Sequence, residues 1–327
     1  MKSVAKIVTL TRNSSESSLT ILFKALGDDL RLQILRVMAH DSFSVSELCE
    51  IFSIQQSALS HHLKVLVNAS LLDRKKEGTA TFYRRALPEA RNASLREQIF
   101  DEITLTPIPN KLAEGILRIQ RQREINSIEF FRGNVNLFRE QQDLIVPWTE
   151  YSEISLQLLN RVQKQPLRSI VEVGVGEGRL LPHLDKIASK VIALDLSPTM
   201  LSKARAHAGR LNGIRFVTGS TKVLVDEGLR TEAIVANMVL HHTSSPSNII
   251  GEAAQLLSPG GALIISELCA HDQAWARQHC GDLWLGFTPE QIQKWAKVSG
   301  LKLSANVFLA QRNGFQVQVQ LFVKTVN

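Results

Sequence analysis

From Ser18 to about Leu87 apolar residues recur at helical spacing, with little Gly or Pro, and two strand-like runs close the block. Within it Ser44 is placed to cap a short helix over Val45–Phe52, with Glu47 three residues on to complete a capping box. A break at Ser53-Ile54 precedes a second helix from about Gln55 to Val67. Its positions Ala58, Leu59, Leu63 and Leu66 are expected to face inward, and Gln55, Gln56, Ser57, Ser60, His61 and Lys64 outward. The runs Leu71–Lys76 and Thr79–Arg85, separated by Glu77-Gly78, predict a hairpin. Residues 88–130 are charged and helical with a break at Thr106-Pro107-Ile108-Pro109, after which Leu112, Ile116, Ile119 and Arg123 form one stripe of a connecting helix.

After Pro166 the texture changes. Short apolar runs at Ser169–Val173, Lys190–Leu194, Ile214–Val217, Ala233–Val239 and Ala262–Glu267 alternate with helix-length segments, which predicts βαβ units and a mostly parallel sheet. The tail, Gly314–Val326, alternates at Phe315, Val317, Val319, Leu321 and Val323, the period of a half-exposed or edge strand. The expected organisation is a flexible N-terminus over 1–17, a winged helix-turn-helix domain over 18–100, a helical linker and cap over 101–150, and an α/β domain over 151–327.

Charge adds a partner class to this picture. The net charge is +7, and residues 1–100 hold 14 basic against 10 acidic side chains, the more basic part per residue. That favours a polyanion near the N-terminal domain. The three cysteines, Cys49, Cys269 and Cys280, form neither a disulfide framework nor a zinc ribbon, so a reducing cytoplasm is the expected setting. Met1–Ser15 lacks the apolar run of a signal peptide, and no stretch reaches the length of a membrane span, so no membrane partner is expected.

The outward face of the second helix has the layout of a recognition helix, whose N-terminal residues reach base edges in the major groove. Glutamine can pair with adenine, and serine and lysine suit phosphates or bases. Arg74, Lys75, Lys76, Arg84 and Arg85 make the hairpin basic, as suits a wing along a phosphate backbone. The segments Leu22–Asp28, Arg31–Leu35, Ser57–Leu66 and Tyr83-Arg84 resemble an ArsR-family winged helix over about residues 18–87. The resemblance implies a homodimer, paired through the first helix and the helix after the wing, on a double-stranded, pseudo-palindromic operator. That family's soft-metal site usually has two cysteines two apart. Here the segment reads Glu47-Leu48-Cys49-Glu50-Ile51, so a thiolate pair cannot form and the signal must enter elsewhere.

In the C-terminal half, Ile170–Val173 runs into Gly174-Val175-Gly176-Glu177-Gly178. Glycines let the backbone turn sharply and a ligand approach closely. A dinucleotide site would need its third glycine at Arg179, and the spacing here is GxGxG behind the acidic Glu172. Seventeen residues after Gly178 a second apolar strand ends in Asp195, which can accept both hydroxyls of a ribose. These features resemble class I S-adenosylmethionine-dependent methyltransferases. So do Asp195–Leu201, Asn237–His242 and the Pro-Gly-Gly turn at Pro259–Gly261, over about residues 130–305. The implied architecture is a Rossmann-like class I methyltransferase fold with an antiparallel last strand. Glu172, Gly174, Gly176 and Gly178 would hold the methionine end of S-adenosyl-L-methionine or S-adenosyl-L-homocysteine, and Asp195 the ribose. Leu196, Met200, Ser220 and Asn237 complete the implied set. Gly219-Ser220 stands where the family has Gly-Asp, so Ser220 offers the adenine amino group one acceptor.

Methyl transfer relies on positioning, and a general base is optional. His241 and His242 follow the fourth strand, and His271, Asp272, His279, Cys280 and Asp282 follow the fifth. His241, His271 and Asp272 are the catalytic candidates. A metal site from His271, Asp272, His279 and Asp282 has no recognised spacing, and none is expected. Two functions remain open. One is a transcriptional regulator that takes the nucleoside as a small-molecule effector, with methionine-cycle genes as targets. The other is an active small-molecule methyltransferase that controls its own expression.

Overall fold

Side-chain caps set where the second and third helices begin. The computed structural model describes residues 15–77, 80–86, 93–134, 138–162, 166–209, 211 and 213–325, and the chain divides into two units, Met1–Leu117 and Arg118–Asn327. In the first, α1 (Ser15–Leu26) is followed by α2 (Asp29–Val37), whose cap Asp28 accepts from the Arg31 N–H at 2.9 Å. Strand β1 (Phe43–Ser44) leads into α3 (Val45–Phe52). Ser44 Oγ accepts from the Glu47 N–H at 3.3 Å, and Glu47 Oε2 accepts from the Ser44 N–H at 2.7 Å, the reciprocal box read from the sequence. Ser53, with φ 55°, ends α3, and Gln55 in extended geometry caps α4 (Gln56–Asn68).

Strands β2 (Leu72–Glu77) and β3 (Ala80–Arg85) pair antiparallel, and β1 joins the other edge of β3. Gly78 of the expected Glu77-Gly78 turn and Thr79, the first residue of the second expected run, lie outside the described residues, as does most of the N-terminal segment 1–17. Helix α5 (Ala93–Leu105) and α6 (Asn110–Asn134) flank the proline break. The core gathers Leu22, Ile34, Leu35, Phe43, Leu48, Leu59, Leu63 and Leu66.

Two sequence expectations are corrected in this unit. Ala58 is exposed, because the buried stripe of α4 is Leu59, Leu63 and Leu66 and the neighbouring position is turned about 100° away from Leu59. Arg85 is not a wing contact. Strand alternation sends it inward while Arg84 stays partly exposed, 3.4 Å from Asp73. Arg85 donates to Leu35 O at 2.7 Å and to Thr104 Oγ1 at 2.9 Å, with its guanidinium 4.9 Å from the Phe100 ring centroid. Burial lowers its pKa to about 10, so it remains a cation that ties β3 to α2 and α5.

The second unit contains α7 (Phe138–Ile145), α8 (Trp148–Val162), β4 (Ile170–Val173), α9 (Leu181–Leu184), β5 (Val191–Asp195), α10 (Pro198–Ala208), β6 (Ile214–Thr218), α11 (Thr221–Asp226) and β7 (Thr231–Asn237). A short 3-10 turn, Leu240–His242, precedes α12 (Pro246–Leu256), β8 (Leu257–Leu268), α13 (Trp275–Cys280), α14 (Pro289–Val298), β9 (Leu301–Ala310) and β10 (Gln316–Lys324). The sheet order is β6-β5-β4-β7-β8-β10-β9. Neighbours from β6 to β8 are parallel, and β10 is antiparallel to both β8 and β9. This is a Rossmann-like sheet of the kind expected. The strand order reverses beside β4, so the carboxyl ends of β4, β5 and β7 open a crevice there.

The tail strand corrects the third expectation. β10 is neither an edge nor half-exposed: Val317, Val319 and Leu321 are buried, and so are the alternate residues Gln318 and Gln320. Gln318 Nε2 donates to Phe287 O at 2.7 Å, and Gln320 Nε2 donates to Gln318 Oε1 at 2.7 Å. A period of two reports two chemically different faces; here the polar face is buried against acceptors rather than water. The outer position belongs to β9. The strand expected over Ala233–Val239 ends at Asn237, because Met238 takes a left-handed φ of 54°.

Candidate functional site

Each unit presents one site. In the first, the buried stripe of α4 fixes what the opposite face offers. Gln55, Gln56, Ser57, Ser60, His61 and Lys64 are all exposed. His62 is half-buried, with Nδ1 3.5 Å from Asp28 Oδ1, and holds α4 against the start of α2. On β2, Arg74 and Lys76 are exposed and Lys75 is partly buried. Polar side chains with adjustable donors on a helix, beside cations on a strand, suit base edges and phosphates respectively.

In the second unit a cavity opens at the carboxyl ends of β4, β5 and β7. Gly174, Gly176 and Gly178 all take positive φ, +67°, +53° and +78°. Their roles differ. A Cβ on Gly176 would meet nothing within 4 Å, so the backbone there borders open space. A Cβ on Gly174 would stand 2.4 Å from Val239, and one on Gly178 would stand 2.9 Å from the Ala204 backbone. Gly178 is therefore a packing glycine under α10 and does not line the cavity.

Asp195 ends β5 and clamps the turn. Its Oδ2 accepts from the Gly176 N–H at 3.0 Å and its Oδ1 from the Ser197 N–H at 2.8 Å. Burial raises its pKa to about 6, and these two backbone donors oppose the rise. Glu172 is buried on β4, with its carboxyl pushed well up by burial and then by Asp195. Its Oε2 accepts no hydrogen bond. A buried acceptor without a donor, at the wall of a cavity, fits a ligand carrying an ammonium or sulfonium group.

Of the sequence candidates, Glu172, Gly174, Gly176, Asp195, Leu196, Met200, Ser220 and Asn237 line this cavity together. Asn237 Oδ1 accepts from Ser155 Oγ at 3.0 Å, which ties the end of β7 to α8. His241, His271 and Asp272 do not line it. His241 is buried behind the wall, with Nδ1 2.5 Å from Glu267 Oε1, and its pKa is about 9 because two carboxylates, Glu267 and Asp282, outweigh burial. His271 packs edge-on against Phe315, and Asp272 is exposed. The neighbouring histidine, His242, reaches the cavity instead.

The sequence reading missed the helical wall. Glu124, Ser127, Ile128 and Phe131 of α6, Gln142 and Asp143 of α7, and Trp148 and Tyr151 of α8 also line the cavity. Their signal was weak: an aromatic residue on an amphipathic helix reads first as core. The four residues grouped as a metal possibility do not gather. Among the described residues the close cluster of ligand-type side chains is His241, His242 and Asp282. Cys280 is buried with its thiol pushed up to about 12, and Cys269 to about 11, both mainly by burial.

This geometry defines a winged helix-turn-helix with an exposed polar helix face in the first unit and a Rossmann-like α/β domain with a cavity at its strand ends in the second. Comparison with known families makes both assignments specific. Residues 28–74 match the family model described as bacterial regulatory protein, arsR family, and residues 171–265 match the methyltransferase domain model. The chain carries an ArsR-type helix-turn-helix domain and a class I methyltransferase domain. It is 23% identical over 193 residues to a ubiquinone biosynthesis O-methyltransferase of Nitrosococcus oceani, covering 54% of this chain and 82% of that protein. The counterpart from Xanthomonas axonopodis pv. citri is 25% identical over 41% of this chain, which spans 62% of the relative. Among solved structures, the 1,6-didemethyltoxoflavin-N1-methyltransferase of Burkholderia thailandensis has a TM-score of 0.49 at 19% identity, covering 63% of this chain and 91% of that one. The N-methyltransferase NodS of Bradyrhizobium japonicum has a TM-score of 0.45 at 17% identity, covering 58% and 98%.

Proposed function

We propose that the chain is a DNA-binding regulator whose methyltransferase domain takes S-adenosylmethionine or S-adenosylhomocysteine as its effector. The observation that carries the effector is the pair of buried acids at a glycine turn. Asp195 clamps the turn at Gly176, and Glu172 presents an unfilled acceptor to the same cavity. Each Asp195 oxygen accepts one backbone hydrogen bond and keeps a lone pair for a ribose hydroxyl. The exposed polar face of α4 and the cations of β2 support DNA as the partner. Leu19, Ile21 and Phe23 of α1 are exposed, and so is Leu105 of α5. That supports a homodimer paired through these helices. No helix among the described residues is long and apolar enough to cross a membrane, and cytoplasm is the compartment we assign. The segment 101–150 serves as linker and cap, supported by the α6 and α7 residues on the cavity wall. Methionine-cycle genes are the proposed targets.

A ligand shifts DNA binding only as far as it prefers one state. The test is fluorescence anisotropy of the full chain on DNA selected by the chain from a random pool, with and without each nucleoside. A shift of at least about tenfold, which corresponds to about 1.4 kcal/mol of coupling, is the expected result for one of them. Equal affinity with and without both ligands sinks the effector reading. In the same assay Lys64→Ala should weaken binding and reduce the slope of log affinity against log salt by about one. An unchanged slope removes Lys64 from the phosphate contacts.

The titration of Asp195 gives a pH signature. Its pKa of about 6 means that the ionised, fully accepting carboxylate is present above that value and lost below it. S-adenosylhomocysteine affinity measured by calorimetry should therefore be about tenfold weaker near pH 5 than near pH 8. A flat profile counts against Asp195 as the ribose acceptor. A second reading, an active small-molecule methyltransferase that regulates its own expression, is supported by the place of His242 on the cavity wall. When bound, S-adenosylmethionine supplies a sulfonium methyl group, and His242 would orient the acceptor. Label transfer from S-adenosylmethionine to a component of a metabolite extract is the outcome that selects this reading.

A further inference from the structure

At the back of the cavity wall lies a polar cluster that shares only His242 with the nucleoside cavity. His241, His242 and Asp282 bring ligand-type atoms within 4.8 Å of one another. Asp282 is 3% exposed, and neither of its carboxylate oxygens accepts a hydrogen bond. A buried carboxylate without donors calls for a partner, which can be an ion. Its Oδ1 stands 3.9 Å from His241 Nε2 and 3.7 Å from His242 Nδ1, which donates to Gly281 O at 3.3 Å, so an ion would take that nitrogen in exchange for this hydrogen bond; Arg277 is a further attractive charge. The two separations from Oδ1 are too long for hydrogen bonds. They suit two ligands of one ion, since donors at about 2.0–2.2 Å from a metal stand about 3–4 Å apart.

The surroundings of His241 point the same way. Glu267 Oε1 holds its Nδ1 at 2.5 Å, while Glu267 Oε2 accepts from the His241 N–H at 3.2 Å. Ring and backbone of His241 are thus both fixed, and Nε2 is turned toward Asp282. A carboxylate on the far nitrogen is the arrangement that orients metal-binding histidines.

We propose that His241, His242 and Asp282 form a site for one divalent first-row transition ion, such as zinc or cobalt. Two imidazoles and one carboxylate suit such ions better than calcium or magnesium. His242 is shared with the nucleoside cavity, so the remaining coordination position lies on that side and takes water or a donor atom of a second molecule. The site does not rest on the effector reading. It offers the C-terminal domain a metal input that the Cys49-Glu50-Ile51 segment cannot provide at the position the ArsR resemblance suggests.

The test is cobalt titration of the full chain after chelator treatment. One Co2+ per chain is expected, with visible absorption bands that zinc displaces. Asp282→Asn keeps the shape of the side chain and His241→Gln removes one imidazole; each should weaken cobalt binding at least about tenfold. X-ray absorption on the cobalt-loaded wild-type chain gives a readout that no folding defect can disturb, and two imidazoles without sulfur are expected. Absence of retained cobalt, binding unchanged in both variants, or a sulfur-bearing shell overturns the proposal.

Discussion

Asp195→Ala is expected to weaken binding of S-adenosylhomocysteine to the full chain by at least about a hundredfold. The wild-type carboxylate holds the Gly176 and Ser197 N–H groups and keeps one lone pair on each oxygen, which under the proposed function serve two ribose hydroxyls. Hydrogen bonds to a charged acceptor contribute about 1.5–3 kcal/mol each, so losing two amounts to about 3–6 kcal/mol, or two to four orders of magnitude in affinity. The turn also loosens, because the Gly176 N–H loses its acceptor. Fold stability should respond in a different sense. Burial raises the Asp195 pKa from 3.8 to about 6, so the ionised group disfavours folding at neutral pH and that penalty fades as pH falls through about 6. Alanine removes this penalty along with the two backbone hydrogen bonds, and the two effects offset each other. Calorimetry should therefore register no nucleoside heat in a variant whose melting profile stays close to wild type. Affinity within threefold of wild type would remove Asp195 from the site.

What could be read from the chain was what is local in it. The Ser44–Glu47 box, the break before α4, the sharp glycine turn after β4 and the acid ending β5 each depend on residues within a few positions of one another, and the local geometry of all four is present, although Gly178, read into the ligand set, packs under α10 instead. The failures share the opposite property. Whether Arg84 or Arg85 points at solvent depends on the register of β3 against β1 and β2, and on Phe100 lying where a guanidinium can cover it. The tail strand shows the alternation of a half-exposed element, yet β9 covers its outer edge and Gln318 finds its acceptor at Phe287. His241 in a 3-10 turn, Glu267 on β8 and Asp282 in the loop after α13 come from separate segments, so no spacing announces them. The cavity wall from Phe131, Trp148 and Tyr151 was hidden for the same reason: helical periodicity says that a face is covered, and not what covers it.

The glycines of the turn can be separated by experiment, because identical residues do different work. In Gly178→Ala the new methyl would sit 2.9 Å from Ala204 Cα, 3.0 Å from Ala204 Cβ and 3.0 Å from Leu181 Cδ1, at a φ of +78°. Ala204 is fully buried in α10, so relief requires moving a helix rather than a side-chain tip. Overpacking of this kind costs about 1–3 kcal/mol, and the left-handed backbone adds about 1 kcal/mol. All four tryptophans, Trp148, Trp275, Trp284 and Trp295, lie in the second unit, so urea unfolding followed by tryptophan fluorescence reports that unit alone. With a slope of about 2 kcal/mol per molar urea, the midpoint should fall by about 1–2 M. Gly176→Ala carries only the backbone penalty, since its methyl meets nothing within 4 Å, and its midpoint should fall by about 0.5 M or less. That methyl projects into the space a nucleoside would fill, so this variant should lose ligand affinity out of proportion to its stability. Equal midpoint shifts in the two variants would show that the turn acts as one packed unit, and that the division between a glycine for the helix and a glycine for the ligand is wrong.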